Sequence, residues 1–126
     1  RGTFAGIAGV CAGEMVKLGA KPENIRAAIG PSIHSCCYEV GDDFIGAVIS
    51  LAGRDAAERF IKVPHGFERP HADIIGYNVE ILINSGLKPE NIDVCEICTC
   101  HTPELFYSHR YSKGIRGTML SLISLG

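Results

Sequence analysis

Lys21-Pro22-Glu23-Asn24-Ile25 recurs further along the chain as Lys88-Pro89-Glu90-Asn91-Ile92, and the echo decides the fold class. Each copy sits between a helical pattern that closes near glycine, at Gly19 and at Ser85-Gly86, and a short apolar run. Glycine just past the last periodic residue stops a helix, and proline cannot continue one. Residues 25–29 and 92–98 then read as buried strands, the first cut off by Gly30-Pro31. One helix-to-strand connection is thus used twice, and the two strands are expected to enter one sheet.

Outward from the echo, Phe4, Ile7, Cys11, Met15 and Leu18 recur at three- and four-residue steps. That period predicts an amphipathic helix over residues 3–18 with Thr3 as its N-cap. Gly2, Gly6, Gly9 and Gly13 lower its intrinsic helicity, which fits close packing on a sheet. A second helix is expected over 44–51, opened by Asp42 or Asp43, and a third over 73–82 running on to Ser85-Gly86. A last strand is expected over 119–125. Helices alternating with short buried strands indicate an α/β layered domain, and the last strand, which follows an irregular segment, makes the sheet mixed.

The chain has 126 residues, 46% hydrophobic and 21% charged, with a formal net charge of -2. That is one domain's worth of chain, with no basic excess to favour nucleic acid or an anionic membrane. No apolar run approaches the roughly 18 residues of a membrane span, and the start at Arg1 carries no leader pattern. The six cysteines are placed as Cys11, the adjacent Cys36 and Cys37, and a crowded Cys95, Cys98 and Cys100. This arrangement suits reduced thiols in a cytoplasmic protein better than a disulfide scaffold.

Three stretches concentrate reactive side chains. Gly30-Pro31-Ser32-Ile33-His34-Ser35-Cys36-Cys37-Tyr38-Glu39-Val40-Gly41 leaves a strand end, where α/β proteins commonly build sites. Within it, Cys37 can be read as a nucleophile with His34 as base and Glu39 as orienter, or the cysteines can be small buried apolar residues. Cys95, Cys98, Cys100 and His101 offer thiolate and imidazole, the donors of a structural zinc site. Their spacing matches no zinc finger, and strand positions three apart face opposite ways. Phe106-Tyr107-Ser108-His109-Arg110-Tyr111 combines flat rings, a hydroxyl and a guanidinium fork, a set able to stack a planar base and hold an anion, or else a plain aromatic anchor.

Taken in order, the 30–41 stretch, Asp73-Ile74 with Tyr77-Asn78, Cys98-Thr99, and Phe106-Tyr107-Ser108-His109-Arg110 resemble the signature blocks of the laccase-domain family over nearly the whole chain. That family includes multicopper polyphenol oxidase-like proteins, purine nucleoside phosphorylases and a peptidoglycan editing factor. The resemblance is to its C-terminal half and implies part of a single laccase-like domain, residues 1–126, of cysteine-hydrolase-like α/β fold. Arg1-Gly2 looks like the tail of a His-Ala-Gly-Trp-Arg-Gly motif. The implied zinc ligands are that His, a Cys in a Thr-Ala-Asp-Cys block and a His in a Val-His-Gly block, none of which has a counterpart here.

The resemblance implies phosphorolysis of adenosine, inosine or methylthioadenosine, or deamination of adenosine, with zinc, or copper, in a full-length protein. This chain alone is expected to hold no catalytic metal, to be inactive, and to self-associate through uncovered apolar surface. The small-molecule partners are then a purine nucleoside and phosphate. Arg1 and Arg110 are the expected contacts to anionic oxygen, Ser108 and His101 the polar contacts, and Phe106 or Tyr107 the stacking ring. Tyr111 stands where many members have a second Arg, and Arg116-Gly117-Thr118-Met119 where Gly-Arg-Met is usual. Two other readings stay open: a zinc-binding structural module at Cys95, Cys98, Cys100 and His101, and a cysteine hydrolase using Cys37 and His34.

Overall fold

The echoed pentapeptide reappears as a three-dimensional repeat. In the computed structural model, which describes residues 2–124, each copy forms a single 3-10 turn, Pro22–Asn24 and Pro89–Asn91. The first turn links helix α1 (Ile7–Lys17) to strand β1 (Ala27–Ile29). The second links helix α4 (Ile74–Asn84) to strand β4 (Ile92–Val94). The strands pair in parallel with Ala27 opposite Ile92, and α1 packs on α4, so two αβ units lie side by side. The turns are tied directly, Asn91 Nδ2 donating to the Glu23 carbonyl at 2.9 Å. Gly86, at φ 93°, also leaves room for Pro22, whose Cβ would lie 2.9 Å from any Cβ added there. That glycine is required on both counts.

Helix α1 starts later than its periodicity predicts, because Gly6 adopts φ 74° and breaks the run into a turn over the preceding residues. Thr3 is therefore not its N-cap. Phe4 leaves the helical stripe and enters the core instead, 4.6 Å from the Tyr77 ring and 5.9 Å from that of Phe44. The remaining stripe is inverted as well. Ile7, Cys11, Met15 and Leu18 face outward, whereas Ala12 is buried and Ala8 packs beside it. The close contact is with α4 and not with a sheet. A Cβ on Gly9 would lie 2.8 Å from Ile81 Cγ2, so small residues were selected on this face for approach to the other helix.

Helix α2 (Asp42–Ala52) begins one residue after Gly41, its N-cap. Asp42 and Asp43 occupy its first turn, where their charges favour the helix dipole, and neither caps it through a side chain. Gly53, at φ 87°, then breaks the path, and a further helix the sequence pattern does not announce, α3 (Arg54–Phe60), runs into strand β2 (Ile61–Lys62). Strand β2 pairs antiparallel with β3 (His71–Ala72) in a second small sheet. Asp73 caps α4, its carboxylate accepting from the Gly76 N–H at 2.8 Å.

The main core gathers Phe4, Val40, Val48, Ala56, Ala57, Ile61, Ala72 and Tyr77, and a smaller one Ala12, Ile25, Leu82 and Leu87. The result is a mixed α/β domain of helices with two two-stranded sheets, in place of one mixed sheet. The expected strand at 92–98 is regular only over Ile92–Val94, and 119–124 forms no strand; Leu125 lies outside the described residues. Leu120, Leu122 and Ile123 are largely exposed, so this segment does not bury the apolar face that its sequence offers to a sheet. Among the described residues no helix is long and apolar enough to cross a membrane.

Candidate functional site

The loop after β1 is pinned at both ends, which determines where its cysteines go. At the start, the parallel pairing of β1 with β4 continues past the strands. Cys95 N–H donates to the Ile29 carbonyl at 2.9 Å, Ser32 bridges Cys98, and Thr99 N–H donates to the Ser32 carbonyl at 3.0 Å. At the far end Glu39 bridges His71, Val40 N–H donates to the Pro70 carbonyl, and Ala72 N–H donates to the Tyr38 carbonyl. Between the pins the chain makes a tight turn in which Cys37 and Tyr38 both donate to the His34 carbonyl at 3.0 Å. His71, buried beneath the turn, contacts the Ser35 carbonyl through Nδ1.

The turn presents Cys36 and Cys37 to Cys98 and His101. The ligand atoms of these four residues all lie within 4.8 Å of one another, and together they can hold a metal ion. Cys36 Sγ is 3.9 Å from Cys37 Sγ and 3.9 Å from His101 Nδ1, and Cys37 Sγ is 3.1 Å from His101 Nε2. Burial raises the Cys36 thiol above its ordinary value and, helped by its sulfur neighbours, raises Cys37 strongly. Burial acts the same way on Cys98, but the backbone N–H groups of His34, Cys100 and His101, with a bond from Cys36, outweigh it and hold that thiol low. Within the group, Cys98 is thus shifted toward its charged form and Cys36 and Cys37 away from it.

This arrangement revises two expectations. Cys98 and His101 do meet, yet their companions are Cys36 and Cys37 and not Cys95 and Cys100, because the bridge between Ser32 and Cys98 brings the loop after β1 alongside, where the chain turns at residues 99–100. Cys37 faces His101, and among the described residues no hydrogen bond joins its side chain to that of His34, whose backbone takes part instead. A raised thiol is also the opposite of an activated nucleophile, and Glu39 is engaged with Arg69 at 3.2 Å. The His34–Cys37–Glu39 relay is not formed.

A separate cleft of about 420 Å³ opens beside the cluster. Ser32, Ile33, Tyr38 and Thr99 form one wall, and Tyr107, Ser108, His109, Arg110, Arg116 and Met119 the other. Of the residues expected at a substrate site, Ser108 and Arg110 line this cleft, and Tyr107 lines both it and a neighbouring one that also includes Phe106. His101 belongs to the cysteine cluster, and Arg1 lies outside the described residues. Tyr107 reaches its place because Gly117 has no side chain, a Cβ there falling 2.7 Å from the tyrosine ring. Arg110 is partly committed: NH2 donates to the Glu39 carbonyl at 2.9 Å and NH1 to that of Cys37 at 3.3 Å, with the guanidinium 5.6 Å from the Tyr38 ring centre. Two bonds leave three of its five N–H donors for other partners.

His71 and Arg116 were not singled out by sequence reasoning. The signal for Arg116 was present in the altered Gly-Arg-Met block, whereas His71 stands in no recognisable motif. The zinc site implied by the family resemblance needs two imidazoles and one thiolate from blocks absent from these 126 residues. The cluster seen here has three thiols and one imidazole. It is a different donor set, and it does not fit the implied site.

The family model described as "Multi-copper polyphenol oxidoreductase laccase" matches residues 1–126. The chain is 40% identical over 111 residues to purine nucleoside phosphorylase YlmD of Bacillus subtilis, covering 86% of this chain and 38% of that protein. It is 35% identical over 125 residues to a purine nucleoside phosphorylase of Deinococcus radiodurans, covering 99% and 46% respectively. A protein named adenosine deaminase RL5, from an unknown prokaryotic organism, is 32% identical over 110 residues, with 87% and 41% covered. The chain thus spans less than half the length of these relatives. In structure it is similar to the YfiH protein of Bacillus licheniformis, with a TM-score of 0.76 and 31% identity over 90% of this chain and 42% of that one. It is likewise similar to YlmD of Geobacillus stearothermophilus, with a TM-score of 0.74 and 29% identity over 93% and 43%. By sequence along its whole length and by fold, the chain belongs to the multi-copper polyphenol oxidoreductase laccase family.

Proposed function

We propose that this chain is the C-terminal part of a single laccase-like domain, and that the whole domain is a metal-dependent purine nucleoside phosphorylase acting on adenosine, inosine or methylthioadenosine. The observation that carries the reading is the lining of the cleft. Two tyrosine rings, Tyr38 and Tyr107, share it with two guanidinium groups, Arg110 and Arg116, and with the Ser108 hydroxyl. Phosphorolysis needs a surface for the base and a clamp for the anion. An oxygen of orthophosphate bonds to the sugar C1′, the C1′–N bond breaks, and the purine leaves with that electron pair and a proton while the sugar 1-phosphate forms. Guanidinium donors suit the phosphate, because their planar fork matches its oxygens in pairs.

In this reading the free N–H groups of Arg110, with Arg116, hold phosphate, and Tyr107 stacks on the purine. Phe106 serves the neighbouring cleft. The metal, zinc or copper, is supplied through ligands that this sequence does not contain, so turnover belongs to the longer polypeptide and the 126-residue chain alone is inactive. Two relatives named purine nucleoside phosphorylase favour this reaction. The relative named adenosine deaminase favours a second reading, in which the same cleft takes adenosine and water replaces phosphate as the nucleophile. Free base appearing from inosine only when orthophosphate is present supports phosphorolysis; ammonia appearing from adenosine without phosphate supports deamination.

A further inference from the structure

We propose that Cys36, Cys37, Cys98 and His101 form a closed, four-ligand site for one zinc ion, separate from the substrate cleft, that staples the loop after β1 to the segment after β4. The inference stands on this chain's own side chains and does not depend on the phosphorylase reading.

Geometry is the first support. A tetrahedral zinc with sulfur at about 2.3 Å and nitrogen at about 2.0–2.1 Å has sulfur–sulfur edges of about 3.8 Å and sulfur–nitrogen edges of about 3.6 Å. The cluster already shows 3.9 Å between Cys36 and Cys37 sulfurs, and 3.1 and 3.9 Å from sulfur to a ring nitrogen of His101. Every ligand atom is within 4.8 Å of the others, so closure around an ion needs shifts of about an ångström at most. Only one ring nitrogen can ligate. His101 is exposed, which leaves its ring free to turn and the other nitrogen free to meet solvent.

Donor chemistry is the second. Three thiolates and an imidazole are soft to borderline donors, which favour zinc over magnesium or calcium, and four protein ligands leave no open position for a substrate. Binding displaces the thiol protons to solvent, so each sulfur joins the ion as a thiolate. The third support is the scaffold around the buried ligand. Cys98 Sγ accepts a backbone N–H from His34 at 3.5 Å, and the Cys98 carbonyl accepts from His101 N–H at 3.0 Å and Thr102 Oγ1 at 2.9 Å. Cys98 and His101 therefore share one rigid turn, while Cys36 and Cys37 arrive on the other loop. The two loops also provide Ser32, Tyr38 and Thr99 to the cleft, so an ion here braces that wall.

The test is metal binding by the 126-residue chain, purified under reductant, freed of metal and titrated with zinc against a chromophoric chelator, then with cobalt(II) for its spectrum. The expected result is one ion per chain, with thiolate-to-cobalt charge transfer and the intense visible bands of a tetrahedral centre. Cys37→Ser and His101→Ala, both at positions outside the core, each weaken zinc at least about a hundredfold, since losing even an outer-shell partner costs 10–100-fold. Cys95→Ser and Cys100→Ser leave affinity within about twofold, and circular dichroism confirms that each variant is folded. No stoichiometric zinc, an octahedral cobalt spectrum, or binding that survives Cys37→Ser and His101→Ala but is lost in Cys95→Ser or Cys100→Ser would overturn the proposal. Tight copper(I) binding in preference to zinc at the same residues would overturn the choice of ion.

Discussion

The His34 backbone N–H points at Cys98 Sγ, 3.5 Å away, across two segments brought alongside each other by the continuation of the β1–β4 pairing. The contact favours the charged form of that sulfur. It also shows why a loop full of apparently catalytic residues works differently from its sequence pattern: His34 contributes its main chain, and its neighbour Cys37 turns toward His101.

Gly9 and Gly13 lie in the same helix and should respond oppositely to alanine. At Gly13 nothing lies within 4 Å of an added Cβ, so Gly13→Ala is expected to stabilise the chain by about 0.5–1 kcal/mol. At Gly9 the new Cβ meets Ile81 at 2.8 Å and Ser85 at 3.1 Å, and the cost of overpacking, about 1–3 kcal/mol, exceeds that gain in helicity. Urea midpoints of the two variants, one moved up and one down, check this.

Asp73→Ala removes the only side-chain cap observed on the four α-helices in the described residues. The expected loss is about 1 kcal/mol, with Asp73→Asn keeping most of the stability because the amide oxygen can still accept from Gly76 N–H. Equilibrium unfolding of both variants provides the comparison. Equal losses would mean that the carboxylate's charge, and not the cap bond, is what matters.

Arg110→Lys preserves charge but not the fork that reaches the Cys37 and Glu39 carbonyls together. The loop from 34 to 40 should loosen locally, seen as faster hydrogen exchange of the Cys37 and Tyr38 amides with the core amides of α4 unchanged. Unchanged exchange in the loop would show that these two bonds do not hold it.

Much of the architecture was legible where the sequence carried a local signal. The repeated Lys-Pro-Glu-Asn-Ile connection foretold two neighbouring αβ units, and Asp73 with the periodic Ile74, Tyr77 and Ile81 foretold α4. The errors have a common origin in tertiary context. The stripe of Ile7, Cys11, Met15 and Leu18 has helical period but faces out, because the opposite face of small residues is the one that fits against α4. Strands β2 and β3 are two residues each, too short for any alternation to register. For the site, the chemistry of Cys98 and His101 could be read in their thiol and imidazole donors, though not in their spacing. Their partners could not, since Cys36 and Cys37 join them only through the pairing of Ser32 with Cys98.

The phosphorylase reading is tested most directly by phosphorus NMR of inosine and orthophosphate incubated with a metal-loaded polypeptide of the relatives' full length that contains this chain. The account predicts that a sugar 1-phosphate resonance grows in step with released hypoxanthine, and that Arg110→Ala reduces the rate by at least about tenfold through loss of charge-assisted contacts to phosphate. Free ribose without a phosphate ester, or turnover unchanged by Arg110→Ala, would contradict it.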